Sequence, residues 1–164
     1  MRRLAKNSSV VALFGLLWLS GCGVTGDNDD TNTNGSGIVV EDEALRNAAI
    51  DFIANAGDRV FFAYDSSSLS KESQNTLAKQ VQWLQNHPDR RVLIEGHCDH
   101  RGTREYNLGL GERRADAAAR YLTNQGIVGD RVRTISYGKD RPIAAQGSDA
   151  EIDKMNRVAI AVIE

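Results

Sequence analysis

The sequence predicts a two-layer α/β sandwich, in which helices cover one face of a four-stranded sheet. Four short runs rich in β-branched and aromatic residues lie between residues 60 and 163. Stretches with helical spacing of apolar residues separate the first three of these runs. This alternation, βαβαβ plus a closing strand, is typical of a sheet with helices packed against it. The order of the strands in the sheet stays open.

The first predicted element is a short helix over residues 43–57. Its apolar residues recur at helical spacing, and Gly57 is a suitable end. The positions expected to face the core are Leu45, Ala49, Phe52 or Ile53, and Ala56. A folded domain then follows over residues 58–164.

The first strand of this domain is predicted at residues 60–62, which read Val-Phe-Phe. Ser70 is a suitable N-cap for a helix that extends to about Asn86. Within that helix, Leu77, Val81 and Leu84 lie at spacings that place them on one face. Residues 92–96 (VLIEG) are the second predicted strand, and a polar loop follows over residues 97–102.

Residues 103–125 have a helical pattern, but Gly109 and Gly111 interrupt it. Each glycine weakens a helix by ~1 kcal/mol relative to alanine. We therefore predict a short turn at residues 103–108 and a main helix that begins after Gly111. Its core face would be formed by Ala115, Ala118 or Ala119, and Leu122, with Gly126 at its end.

Two further strands complete the predicted sheet. Residues 132–137 form the third strand, and residues 158–163 form the last. The segment between them is expected to be a loop over residues 138–147, followed by a short helical turn near residues 149–155.

The N-terminal segment has the features of a secretory signal. Arg2, Arg3 and Lys6 precede an apolar run at residues 10–19, which is about half of the ~20 residues that a transmembrane helix needs. Residues 19–22 (LSGC) resemble the lipobox of bacterial lipoproteins. This resemblance implies a signal peptide at residues 1–21, lipid on Cys22 and anchoring in the outer membrane. Residues 22–42 are then a lipidated flexible linker, since residues 23–37 are almost entirely small or polar.

The charge composition argues against non-specific nucleic-acid binding. The formal net charge is -2, and without the first 21 residues 17 basic residues remain against 22 acidic ones. Such binding needs clustered positive charge, so nucleic acid is not an expected partner.

Four potential metal ligands occur in a row at residues 97–100, which read His-Cys-Asp-His. Successive residues of a strand point to opposite faces, so these side chains cannot all converge. Structural zinc sites also need a second pair of ligands, and His87 is the only other histidine. We expect no metal and no cofactor, and we expect Cys98 to point into the core.

Asp99 and Arg114 are the candidate binding residues. Asp99 lies just past the end of the second strand, and Arg114 falls in the first turn of the main helix if that helix begins after Gly111. A carboxylate beside a guanidinium suits a zwitterionic ligand, whose carboxylate an arginine can bind in bidentate fashion. The free N–H groups of the helix start would assist. A buried Asp99–Arg114 pair that only fixes the loop is the structural alternative.

The motif around these residues resembles the OmpA-like peptidoglycan-binding domain. The matching pattern is Gly-His-x-Asp-x-x-Gly at 96–102, Asn107, Leu110 and Glu-Arg-Arg-Ala at 112–115. The resemblance extends over about residues 58–164, and the lipobox places it among the lipoproteins of the Tol-Pal system. It implies a mixed sheet and no catalytic residues.

The resemblance also implies a ligand and a role for each site residue. The ligand would be the meso-diaminopimelate residue of uncrosslinked peptidoglycan stem peptides. Asp99 would bind its amino group and Arg114 its carboxylate. The other site residues implied are Tyr64 and Asp65 as pocket walls, Asn107 and Leu110 as loop residues, and Arg101 as a further contact. The implied partners are peptidoglycan, the outer membrane and a TolB-like periplasmic protein.

Three other functions are compatible with parts of this pattern. The first is a wall-binding lipoprotein outside the Tol system. The second is a cell-wall hydrolase that uses a Cys98–His pair, although adjacent residues rarely reach each other productively. The third is a flagellar stator subunit, which would need a transmembrane helix that residues 10–19 do not supply.

Overall fold

The computed structural model describes the backbone of residues 36–164 and the side chains of residues 43–164. The predicted signal peptide, Cys22 and the linker up to residue 35 lie outside the described residues. Among the helices that the structure describes, none has the length and apolar character needed to cross a membrane.

The described residues form four α-helices and four strands in one sheet. In chain order these are α1 (Ser36–Asn55), β1 (Arg59–Phe61), α2 (Lys71–Asn86), β2 (Val92–His97), α3 (Arg104–Asn124), β3 (Val132–Gly138), α4 (Asp149–Asn156) and β4 (Val158–Ile163). The strand order is β1-β4-β2-β3. β4 is antiparallel to both of its neighbours, whereas β2 and β3 are parallel. The predicted α/β fold with a four-stranded mixed sheet is confirmed.

The hydrophobic core lies between one face of the sheet and the helices. Val92 and Ile94 on β2 pair with Ile163 and Ala161 on β4, and all four are buried. α3 packs along β2 and β3, while α2 packs against β1 and α3. The residues of α2 and α3 predicted to face the core are buried: Leu77, Val81, Leu84, Ala115, Ala118 and Leu122. Leu45 and Ala49 of α1, also predicted there, pack against the core but are only partly buried.

α1 begins at Ser36, earlier than the start predicted at residue 43. Apolar spacing marks only the part of a helix that packs, so it does not locate where the helical backbone begins. Phe52 is the residue that enters the core, where its ring meets that of Trp83 edge-on at 5.0 Å. Ile53, the other candidate for this position, is exposed. The Trp83 indole N–H donates to the Asp51 carboxylate at 2.6 Å and so joins α2 to α1.

Ser70 caps α2 as predicted. Its hydroxyl oxygen accepts the backbone N–H of Ser73 at 3.1 Å, and the helix runs to Asn86. At the other end of the chain, the predicted bounds of β4 agree with the structure. α4 is a regular helix of eight residues, started by a capping box between Ser148 and Glu151.

α3 is one continuous helix, so the predicted break after Gly111 is wrong. The helix starts at an N-cap, Thr103, whose hydroxyl accepts the N–H of Tyr106. A Cβ on Gly111 would lie 2.3 Å from Oγ of Ser136 on β3, which is far inside contact distance. The glycine therefore allows the helix to lie directly on the sheet. The packing gained there offsets the ~1 kcal/mol that glycine costs in a helix.

Candidate binding site

One pocket contains all seven residues predicted from the sequence to bind a ligand. It has a volume of ≈ 100 Å³. The lining residues are Tyr64, Asp65, Asp99, Arg101, Gly102, Tyr106, Asn107, Leu110 and Arg114. The fold therefore brings the predicted residues together, while their roles in ligand binding stay predictions.

Three segments of the chain meet at this pocket. The loop after β1 supplies Tyr64 and Asp65, and the loop after β2 supplies Asp99 and Arg101. Gly102 belongs to the same loop as Asp99. α3 supplies the other lining residues, and of these Asn107, Leu110 and Arg114 are spaced to fall on one helix face. Because α3 begins at Arg104, Arg114 lies well beyond the first turn. The predicted placement of Arg114 beside free N–H groups of a helix start is therefore wrong.

Asp99 is buried, and its carboxylate is bound by two guanidinium groups. Oδ2 accepts from Nη2 of Arg101 at 2.8 Å and from Nη1 of Arg157 at 3.3 Å. Oδ1 accepts the backbone N–H of Arg101 at 3.3 Å. Burial by itself disfavours the ionised carboxylate, but the hydrogen bonds from Arg101 and Arg157 outweigh it and lower the pKa of Asp99. Asp99 is thus held as an anion at the pocket wall.

Arg114 is almost completely buried and donates mainly to the backbone. Nε donates to the carbonyl of Ser66 at 2.9 Å, Nη1 to that of His97 at 2.8 Å, and Nη2 to that of Ala63 at 3.2 Å. Nη1 also contacts Sγ of Cys98 at 3.4 Å. A guanidinium has five N–H donors, so one hydrogen on Nη2 remains for a ligand. The bidentate clamp predicted for Arg114 therefore does not fit this arrangement.

These contacts give Arg114 a different structural role from the predicted alternative. Arg114 does not fix the loop as the buried partner of Asp99, because Asp99 is bound by Arg101 and Arg157. It instead joins the loop after β1 to the end of β2. Burial lowers the pKa of the Arg114 guanidinium from its usual range, although an arginine side chain remains a cation in a protein.

Aromatic side chains form the rim of the pocket. The Arg101 guanidinium lies 4.0 Å from the centre of the Tyr64 ring, at cation–π distance. The hydroxyl of Tyr106 donates to the Asp65 carboxylate across the pocket. Asp65 has a φ of 51°, a left-handed conformation that Asp adopts more readily than most residues. The loop after β1 is therefore joined at the rim to the loop after β2 through Arg101 and to α3 through Tyr106.

Asn107 and Leu110 have distinct positions in the pocket. Asn107 is buried, and its amide donates to the carbonyls of Arg101 at 2.6 Å and Thr103 at 3.0 Å. It thereby holds the loop that carries Asp99 and Arg101. Leu110 is a buried apolar residue on the same helix face.

Three residues near the site were not identified from the sequence: Tyr106, Asp153 and Arg157. Tyr106 precedes Asn107 directly, so its position beside a motif residue was the available signal. Asp153 and Arg157 come from α4 and the residue that ends it, more than 50 residues after Asp99. Arg157 binds Asp99, and Asp153 accepts from Nδ1 of His100 at 2.7 Å. The spacing of residues within one segment does not reveal contacts between residues so far apart in the sequence.

The row of potential metal ligands at residues 97–100 diverges in the structure. Nδ1 of His97 meets the carbonyl of Arg141 at 3.0 Å, whereas His100 turns toward Asp153. In the part of the chain that the structure describes, no three His, Cys, Asp or Glu side chains are placed so that they could hold a metal ion together. Cys98 is buried, and burial raises the pKa of its thiol.

Comparison with known proteins identifies the family. The model of the OmpA family matches residues 61–156. A peptidoglycan-associated lipoprotein of Mesorhizobium japonicum is 42% identical over 163 residues, which cover 98% of this chain and 94% of that protein. The crystal structure of the peptidoglycan-associated lipoprotein from Burkholderia pseudomallei superposes with a TM-score of 0.62 and 38% identity, covering 65% of this chain and 90% of that one.

The same fold occurs at lower sequence identity. The C-terminal domain of Helicobacter pylori MotB gives a TM-score of 0.60 with 19% identity, covering 65% of this chain and 84% of that one, so this likeness concerns the fold alone. The family model and the nearly full-length relative both cover the segments that form the pocket. The chain belongs to the OmpA family and, within it, to the peptidoglycan-associated lipoproteins.

Proposed function

We propose that this chain is a non-enzymatic tether between the outer membrane and the cell wall. Its pocket binds peptidoglycan non-covalently, and lipid on Cys22 holds it in the membrane. The relatives support this proposal, because their name describes lipoproteins that associate with peptidoglycan. Cys22 lies outside the described residues, so the anchor rests on the lipobox and on family membership.

The observation that carries the proposed binding is the charge arrangement of the pocket. A buried carboxylate, Asp99, lies in the same small pocket as the Arg114 guanidinium and the apolar Leu110. The free end of meso-diaminopimelate carries an ammonium and a carboxylate on one carbon atom, next to an apolar chain. Such a group matches the pocket in charge. Only uncrosslinked stem peptides present this end, so they are the proposed ligand.

The cellular role follows from the family rather than from the pocket geometry. We propose that the chain acts in the Tol-Pal system with a TolB-like periplasmic protein, and supports envelope integrity and cell division. Its domain would face the periplasm, since the linker begins at the lipid on Cys22.

The geometry does not favour a cell-wall hydrolase. A thiol nucleophile needs a lowered pKa and access to its substrate. The Cys98 thiol has a raised pKa, is buried, and donates to the carbonyl of Asn107 at 3.3 Å. These properties describe a structural cysteine.

Sedimentation with purified peptidoglycan sacculi tests the proposed site. Asp99→Asn keeps the shape of the side chain but removes the charge that would bind the ligand ammonium. We expect the affinity to fall by at least about thirtyfold, because one partner of a buried charge pair is lost. Glu112→Gln makes the same charge change at an exposed position of α3 and should bind as the wild type does. Equal sedimentation of Asp99→Asn and the wild type would refute the site.

A further inference from the structure

The Arg101 side chain lies at the mouth of the pocket between three partners. Nη2 meets Asp99 at 2.8 Å, Nε lies 3.4 Å from Oδ2 of Asp153, and the Tyr64 ring lies beneath the guanidinium. The side chain is 42% exposed, whereas those of Asp99 and Asp153 are 6% and 10% exposed. Arg101 is therefore the accessible member of a charged cluster whose carboxylates are fixed.

A ligand ammonium finds one acceptor position of Asp99 open, and it gains a second contact only by displacing a guanidinium. A carboxylate offers about four acceptor positions. On Asp99 three of them are occupied, two by the side chain and backbone N–H of Arg101 and one by the side chain of Arg157. Arg157 is mostly buried and also donates to the carbonyl of Phe62 at 3.2 Å, so it is held in place. Arg101 is the group that can exchange.

We propose that Asp153 is a positioning residue that keeps Arg101 at the pocket when the ligand ammonium takes its place on Asp99. Arg101 then binds the ligand carboxylate. One internal ion pair, Arg101–Asp99, is replaced by two intermolecular pairs. This inference rests on the proposed function and deepens it, because it identifies what makes the site select a zwitterion.

The structure of Asp153 suits this role. It lies in α4 and is buried, and Nδ1 of His100 contacts its Oδ1 at 2.7 Å. The other oxygen, Oδ2, is the one that faces Arg101. Asp153 therefore attracts the Nε side of Arg101 while Nη2 is free to change partner.

The limited donor capacity of Arg114 gives Arg101 its importance. Arg114 has one N–H left after its contacts with three backbone carbonyls and with Sγ of Cys98, which is too few for a bidentate carboxylate contact. The charges at the pocket and around it also balance. Three carboxylates, of Asp65, Asp99 and Asp153, accompany three guanidiniums, of Arg101, Arg114 and Arg157. A zwitterion preserves this balance, whereas a ligand with a single charge does not.

Calorimetric titration of the full-length protein in detergent tests the inference. The probes are a stem tripeptide that ends in meso-diaminopimelate and the same peptide with an amide in place of the carboxylate that shares a carbon atom with the free ammonium. We expect the wild type to prefer the zwitterion by about tenfold or more, as for one charge-assisted contact. Asp153→Asn should lose about tenfold in affinity for the zwitterion and less than about twofold for the amide. Asp149→Asn makes the same charge change in α4 and should retain the wild-type preference.

A second variant separates positioning from a general effect on folding. Arg101→Gln removes the exposed guanidinium and should abolish the preference for the zwitterion. In the double variant with Asp153→Asn we expect no further loss, because both changes remove the same contact. Additive losses, or a retained preference in Arg101→Gln, would overturn the inference. A wild type that binds neither peptide would refute the proposed function itself.

Discussion

Gly96 on β2 and Gly111 on α3 approach so closely that a Cβ built on Gly96 would lie 1.9 Å from the Gly111 carbonyl oxygen. The contact atom belongs to the backbone, so a side chain here forces the helix away from the strand. Asp99 follows this strand, and Arg114 lies on this helix. The distance between Asp99 and Arg114 therefore depends on the absence of a side chain larger than hydrogen at Gly96 and Gly111.

Alanine substitutions at the two glycines of α3 should have opposite effects. Gly111→Ala is expected to lower the free energy of unfolding by about 1–3 kcal/mol, because its Cβ would overlap Oγ of Ser136. Gly109→Ala should raise it by up to about 1 kcal/mol, since its Cβ would meet only the mobile end of Arg113 and alanine favours a helix. Urea unfolding measures both. Equal effects of the two changes would contradict the close-packing account.

Arg114→Ala should destabilise the fold as well as the site. The carbonyls of Ala63, Ser66 and His97 would lose their donor, and removing a buried charged donor costs about 3 kcal/mol or more. Arg113→Ala, at the exposed neighbouring position, should change stability by less than about 0.5 kcal/mol. Urea unfolding of the two variants checks this. Similar stabilities would show that the backbone contacts of Arg114 contribute little.

The buried His97 ring predicts a loss of stability in mild acid. Burial lowers the pKa of His97, although the Arg141 carbonyl and Glu95 favour the charged form. In the unfolded chain histidine titrates near pH 6.5, so below about that pH the unfolded state binds more protons than the folded state. The stability contributed by neutral His97 is thus present above about pH 6.5 and declines as the pH falls toward the folded pKa, by at most about 1.4 kcal/mol per pH unit.

Urea unfolding between pH 7.5 and 5.5 tests this dependence. His97→Asn can still donate to the Arg141 carbonyl but does not titrate, so its stability should change less over this range. The lowered pKa of Asp99 does not interfere, because its effect appears only below the ordinary carboxyl pKa of about 3.9. An unchanged pH dependence in His97→Asn would assign the acid sensitivity to another group.

Cys22→Ser should separate the membrane anchor from wall binding. The residues that line the pocket begin at Tyr64, so the variant should sediment with sacculi as the wild type does. After lysozyme digestion of the wall it should leave the membrane fraction, whereas Asp99→Asn should stay there. Fractionation and immunoblotting measure both distributions. Retention of Cys22→Ser in membranes would contradict lipid attachment at this residue.

Where local chemistry decides the structure, the sequence was informative. The cap at Ser70, the buried face of α2 and the bounds of β4 each depend on a few neighbouring residues. The motif predicted the binding residues, and the fold brings them together in one pocket. Their spacing on α3 was visible in the sequence, although the extent of that helix was not.

The errors that concern α3 and the site have a common physical origin in contacts between distant segments. The low helix propensity of Gly111 predicts a break in the helix. The close packing of Gly111 against β2 and β3 instead favours a continuous helix. The donors of Arg114 were assigned to a ligand, yet backbone carbonyls from two other segments take most of them. Arg157 contacts Asp99 and Asp153 contacts Arg101 from near the end of the chain, which no local pattern predicts.

The hydrogen bonds of Arg114 would have a mechanical consequence for the proposed tether. If the membrane and the wall moved apart, tension that a ligand applied to Arg114 would reach α3. The contacts of Arg114 with Ala63, Ser66 and His97 would spread that tension over the loop after β1 and the end of β2. Under a steady pull we therefore expect the ligand to leave before the domain unfolds, so that the attachment breaks and re-forms without damage to the protein.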